Sequence, residues 1–85
     1  MQNKVTYADV LDEIVDVTYT LLPNKRTTIC QLTLRNGFTV EGQSACVSIE
    51  NYDQSIGEKY AYEDAEKNVW PLLGYALATK LKESA

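Results

Sequence analysis

The chain has 85 residues, with eight Lys and Arg against twelve Asp and Glu, no histidine, and a net charge of −4. So short a chain makes a single domain, expected over residues 1–85, whose thin core oligomerisation can thicken. The acidic balance excludes duplex nucleic acid as a partner, since neutralising phosphates takes a dense basic patch, and the missing histidine removes the commonest general base and metal ligand.

Thr6 can cap a first helix, with Asp9 three residues on as its capping-box partner. Tyr7, Val10, Leu11, Ile14 and Val15 then fall at helical spacing, which predicts a helix over residues 7–16 with its carboxylates on the other face. "VTYTLL" favours a strand and stops at Pro23; "PNKR" is a turn. From Thr27 a second strand begins, with Cys30, Leu32 and Leu34 on one face and Ile29, Gln31 and Thr33 on the other.

Asn36-Gly37 marks a hairpin over residues 27–47, and the apolar pattern fixes its register. A two-residue loop would set Leu32 against Glu41. A three-residue loop, Arg35-Asn36-Gly37, sets Leu34 against Phe38, Leu32 against Val40 and Cys30 against Gly42. A one-residue slip turns every side chain to the other face, so the three-residue loop is selected, with Gly37 left-handed. The small run from Gly42 to Cys46 then leaves room for a close neighbour, most simply the next helix; a ligand cleft against another subunit is the alternative.

That helix starts near Asp53, its cap, and carries Ile56, Tyr60, Ala65, Val69, Leu72 or Leu73, Ala76 and Leu81 as an apolar stripe. Pro71 removes a hydrogen bond and crowds the preceding turn, so a kink or break is expected near residues 68–70. Gly57 and Gly74 are each expected to permit close packing. The fold is therefore α+β: a short N-terminal helix, a small antiparallel sheet, and a long C-terminal helix kinked or broken near Pro71.

Catalytic chemistry is sparse. Cys30 and Cys46 stand alone, without the second pair of a structural zinc site or an activating base, and read as small reduced thiols. No metal, cofactor or catalytic residue is assigned, and an enzyme is not expected. Glu63, Asp64 and Glu66, with Lys59 and Lys67 between them, read as a charged helix face. No apolar run reaches the roughly 18 residues of a membrane helix, and "MQNKVTYADVLDE" lacks the continuous apolar stretch of a signal peptide, so a signal peptide is not expected. Tyr60, Trp70 and Tyr75 are expected in the core or at a subunit interface. Tyr52 lies beside the start of the long helix, where backbone amides favour an anion. It can stack on a base while Arg26, Arg35 or Lys59 meets a phosphate, and Asn51 or Asp53 a ribose. Solvated cations and a packing tyrosine are the plain alternative.

Three blocks, "TICQLTLRNGFTVEGQSACV", "NYDQSIGEKYAYEDA" and "VWPLLGYALATKL", resemble a family of small tailed-phage accessory proteins. The ordered set spans residues 27–81. It departs from the family pattern at Tyr52, where a Phe stands in the motif, and at Leu73, where the motif has Glu. The resemblance extends to Thoeris anti-defence proteins, and implies a non-enzymatic sponge that binds a cyclic ADP-ribose-type messenger in the host cytoplasm as a homo-oligomer. A second possibility is a factor that binds a host or phage protein through the acidic face bearing Glu63, Asp64 and Glu66.

Overall fold

The computed structural model describes residues 3–84; residues 1, 2 and 85 of the expected domain lie outside it. The elements run α1 (Tyr7–Glu13), β1 (Ile14–Leu21), β2 (Thr27–Leu34), β3 (Thr39–Ala45), a 3-10 turn (Ile49–Asn51), α2 (Gln54–Lys67) and α3 (Val69–Ser84). The three strands form one antiparallel sheet in the order β1-β2-β3. This is the α+β arrangement expected from the sequence.

The capping box of α1 is present: Thr6 Oγ1 accepts from the Asp9 amide at 3.2 Å, and the Thr6 amide donates to Asp9 Oδ2 at 2.9 Å. The helix stops earlier than its apolar stripe suggests. Ile14 turns into extended backbone, so Ile14 and Val15 open β1 instead of closing α1. Both residues are β-branched and suit a strand at least as well as a helix. The pairing slips between Ile14 and Asp16, a bulge where the chain leaves the helix.

The β2–β3 hairpin takes the register selected by the apolar pattern. Cys30 lies opposite Gly42 and Leu32 opposite Val40. The Leu34 amide donates to the Phe38 carbonyl at 2.8 Å, and Gly37 sits at φ +89°. Phe38 itself is exposed, and β3 begins one residue later at Thr39.

α2 crosses β2 and β3 on the face that carries Cys30, Leu32, Leu34, Val40 and Gly42. The approach is close enough that a Cβ on Gly42 would overlap the backbone nitrogen of Ala65 and lie 2.6 Å from the Ala61 carbonyl oxygen. Gly57 does the same at the other end, where a Cβ would stand 2.9 Å from Thr28 Oγ1. The small run beginning at Gly42 therefore seats the helix. With Val10 and Val69 these residues form the core, and Val5, Ile14, Tyr62 and Leu73 pack on its edge. Each large apolar side chain fully buried here contributes about 1.5–3 kcal/mol.

The buried stripe of the long helix is made of small residues. Ala61 and Ala65 are fully buried, whereas Ile56 and Tyr60 point outward. Tyr60, Trp70 and Tyr75, at 54%, 38% and 78% exposure, lie outside the core. α2 ends at Lys67, Asn68 forms a single turn residue, and α3 restarts at Val69 with Pro71 in its first turn. The two helices meet at a bend of 21°. Asn68 ties the bend down by donating from Nδ2 to the Glu41 carbonyl at 2.7 Å. Gly74 meets no neighbour, so the close packing expected there is absent within one chain.

Candidate functional site

Four of the six candidate ligand residues come together. Arg26, Asn51, Tyr52 and Asp53 line a cavity of about 230 Å³ with Ser44, Cys46 and Tyr60, between the end of β3 and the start of α2. The short loop folds here because Ser48 caps the 3-10 turn and Asp53 caps α2 in quick succession.

The interior of this cavity is already committed. Asp53 Oδ1 accepts from the Ser55 hydroxyl at 2.7 Å and from the Ser55 and Ile56 amides at 2.9 and 3.2 Å. The Ser55 hydroxyl and then the Ile56 amide hold the Asp53 carboxyl below its ordinary range. The helix start thus carries its own anion, which takes the place expected for a phosphate. Tyr52 donates to or accepts from Thr28 Oγ1 at 3.2 Å, and its ring edge lies 3.3 Å from where a Gly57 Cβ would be. It acts as a wedge between strand and helix. Arg26 donates from Nη1 to the Val47 carbonyl at 3.2 Å and, among the described residues, is the one cation lining the cavity.

Arg35 and Lys59 are elsewhere. Arg35 lies at the far end of the hairpin, 3.5 Å from Asp12 and 3.9 Å from Glu13, and lines a groove between α1 and α3. Lys59 stands 5.7 Å over the Tyr60 ring and lines a third concavity.

That third concavity lies between α2 and β1, with a volume of about 420 Å³, lined by Tyr7, Tyr19, Lys59, Tyr62, Glu63 and Glu66. It exists because α2 sits over β2 and β3. Val17, Tyr19 and Leu21 pair with Leu32, Cys30 and Thr28, so they share the helix-bearing face of the sheet, yet they stay exposed. Positions 59, 62, 63 and 66 fall on one side of α2 by helical spacing.

The tyrosines form its walls. Tyr7 donates from its hydroxyl to Glu66 Oε2 at 3.1 Å, and its ring stacks on Trp70 with centroids 6.5 Å apart. The hydrogen bond to Glu66 raises the Tyr7 hydroxyl above its usual range. Burial first, then Glu66, pushes Tyr62 up to about 12. Burial also raises Tyr19. All three stay neutral donors at physiological pH, with Glu63 and Glu66 supplying the negative charge. Asp64 does not join them, because its Oδ2 accepts from the Gln43 amide at 2.9 Å on the β3 side. Sequence reading missed Tyr7, Tyr19 and Tyr62, which three different elements supply. The one available signal was Tyr62 four residues before Glu66.

Among the described residues no group of three potential metal ligands comes together, and no helix is long and apolar enough to cross a membrane. Cys30 is buried and Cys46 half-buried, both as free thiols. Burial, and then Glu58, pushes the Cys30 thiol up to about 11.

Residues 5–81 match the model of the Phage protein (N4 Gp49/phage Sf6 gene 66) family, and the chain belongs to that family. No curated protein and no solved structure matches the chain.

Proposed function

We propose that this phage-family protein is a non-enzymatic accessory factor of the host cytoplasm, which binds a basic segment of a host or phage protein in the groove between α2 and β1. The observation that carries this reading is the joining of three neutral tyrosines to two carboxylates around one open concavity. Tyrosine faces attract a guanidinium or ammonium group, and carboxylates accept its N–H donors. Glu63 and Glu66 would also steer a basic partner during encounter. Lys59, which lines the same concavity, would repel a second cation.

The test is a pull-down from infected cells with the full chain, Glu63→Lys, Tyr19→Ala and the control Glu50→Lys, which reverses an exposed charge away from the groove. A partner retained by wild type and Glu50→Lys, and lost from the other two, supports the reading. Equal recovery by all four proteins sinks it.

A second reading is the anti-defence sponge for a cyclic ADP-ribose-type messenger. The gathering of Arg26, Asn51, Tyr52 and Asp53 around one cavity favours it. At about 230 Å³ that cavity is smaller than the roughly 300–1,000 Å³ of a typical ligand pocket. A nucleotide would therefore need a second copy to supply more wall and the second cation. Calorimetry against a panel of cyclic nucleotides, including cyclic ADP-ribose isomers, decides it: saturable heat that Arg26→Ala abolishes supports the sponge, and no heat from any member removes it.

A further inference from the structure

The two edges of the sheet are finished differently. Along an antiparallel strand the backbone groups point alternately toward the neighbour and away from it. The Leu34 amide donates to the Phe38 carbonyl at 2.8 Å, which turns the backbone groups of Glu41 and Gln43 outward on β3. Side chains of the helical layer meet both residues. The Gln43 amide donates to Asp64 Oδ2 at 2.9 Å, and the Glu41 carbonyl accepts from Asn68 Nδ2 at 2.7 Å. That edge is closed.

β1 has no such cover. The Leu22 amide donates to the Thr27 carbonyl at 2.8 Å, so Val17, Tyr19 and Leu21 turn their amides and carbonyls away from β2. The Val17 amide is met only by its neighbour's carboxylate, Asp16 Oδ1, at 3.0 Å. The outward groups of Tyr19 and Leu21 have no hydrogen-bond partner among the described residues. Proteins usually blunt a free edge with bulges, charges or prolines. Here the bulge and Asp16 stand at one end and Pro23 lies beyond the other, which leaves residues 17–21 open between them.

The side chains of this edge select what can pair with it. Val17, Tyr19 and Leu21 share the face that bears α2, and Thr18 and Thr20 lie on the other. A residue paired opposite Tyr19 puts its side chain on the α2 face, at the groove lined by Glu63 and Glu66. Residues opposite Val17 and Leu21 extend two exposed apolar side chains. Lys59 lines the same groove, so one cation fits this face better than two.

We propose that β1 takes up an extended segment of a partner protein as an added antiparallel strand, in which apolar residues opposite Val17 and Leu21 flank one Arg or Lys opposite Tyr19. The inference rests on the proposed function and adds how the basic segment is held. Main-chain hydrogen bonds to the open edge supply affinity, and the alternating side chains supply selection. The cation lies against tyrosine rings and donates to the carboxylates. Antiparallel pairing continues the rest of the sheet and is the more stable of the two ladders.

The experiment titrates the isotope-labelled full chain with the blocked peptide acetyl-SVTRTVS-amide. Saturable binding is expected, with hydrogen exchange slowed at the Tyr19 and Leu21 amides. Methylating the Arg amide nitrogen, which faces β1 in this pairing, is expected to weaken binding roughly tenfold. Methylating a Thr nitrogen, which faces away, is expected to weaken it far less. Leu21→Pro removes one outward amide without touching the inward ladder, and circular dichroism checks its fold. It is expected to weaken binding by roughly tenfold as well. Binding that Glu63→Lys weakens, but that survives both Leu21→Pro and the methylated Arg, would overturn the added strand and leave the groove reading standing. No saturable binding to folded wild type overturns it too, and the pull-down described above then judges the groove by itself. Protection of the Tyr19 and Leu21 amides in the free chain at high concentration alone would assign the edge to a second copy, and the proposal would fall.

Discussion

α2 on β2–β3 and the pair β1 with α3 are built from opposite materials. Where α2 meets the sheet, the contact residues are Gly42, Gly57, Ala61 and Ala65, and backbone approaches backbone. Along β1 and α3 the residues are Val17, Tyr19, Leu21, Trp70 and Tyr75, all larger and all exposed. Small side chains let two elements close on each other until no third can enter. Large ones, left uncovered, hold surface available for something else. The chain therefore concentrates its tight packing in one half and leaves large apolar side chains uncovered in the other.

The sharpest way to break that contrast is to enlarge the seat. Gly42→Val would push its side chain into the backbone of Ala65 and the carbonyl of Ala61, neither of which can rotate away. Overpacking at a rigid site costs about 3 kcal/mol or more. For a domain of this size that lowers the melting temperature by about 15 °C or prevents folding. A melting curve within a few degrees of wild type would mean that α2 can lift from the sheet, and the seat would not be the stable half.

A milder pair of substitutions should give opposite signs in the two halves. Gly57→Ala puts a methyl group 2.9 Å from Thr28 Oγ1 and 3.3 Å from the Tyr52 ring. The neighbours must shift, and this overpacking, about 1–3 kcal/mol, outweighs the gain in helix propensity of about 0.5–1 kcal/mol, so a net loss of about 1 kcal/mol is expected. Gly74→Ala meets nothing within 4 Å. There the gain in helix propensity dominates, and a stabilisation of about 0.5–1 kcal/mol is expected. Chemical denaturation of both variants measures the two effects directly. Equal signs would show that α3 is as tightly enclosed as α2.

The same contrast explains what could be read before the fold was known. The hairpin register followed from Leu32, Leu34, Phe38 and Val40, because period-two alternation admits one solution. The seat at Gly42 was visible as a run of small residues opposite Cys30. The inward stripe of α2 was not, because hydrophobic periodicity picks the large residues Ile56 and Tyr60, whereas close approach selects Gly57, Ala61 and Ala65. The end of α1 was hidden since Ile14 and Val15 satisfy a helix and a strand equally. Of the six candidate ligand residues, Asn51, Tyr52 and Asp53 are neighbours in sequence and had to lie together. Arg26 joined them through the pairing of β2 with β3, and Arg35 went to the opposite end of the same hairpin. The tyrosine groove was legible only in the spacing of Tyr62 and Glu66, because Tyr7, Tyr19 and Tyr62 come from three elements with no shared spacing.

The smallest effect is a difference in reactivity between the two thiols, which report on the two environments without any substitution. Cys30 lies at the centre of the seat, opposite Gly42, with Tyr19 and Glu58 as its titratable neighbours. Burial raises its thiol from an ordinary 9.0 to about 11. A folded value above the unfolded one means that the native state holds the proton more tightly. That contribution to stability is complete below pH 9 and is lost as pH rises toward about 11. Cys46 lies in the half-open wall of the small cavity, its Sγ 3.1 Å from the Ser48 carbonyl. Alkylation of the native protein near neutral pH should therefore modify Cys46 alone. Cys30 should gain its label only as fast as the chain unfolds, since the thiolate is the nucleophile and burial denies both ionisation and access. Mass spectrometry against time gives the two rates. If they are equal, α2 opens and closes on the sheet faster than the chain unfolds, and the tight half of the molecule is no less mobile than the half that leaves its large side chains exposed.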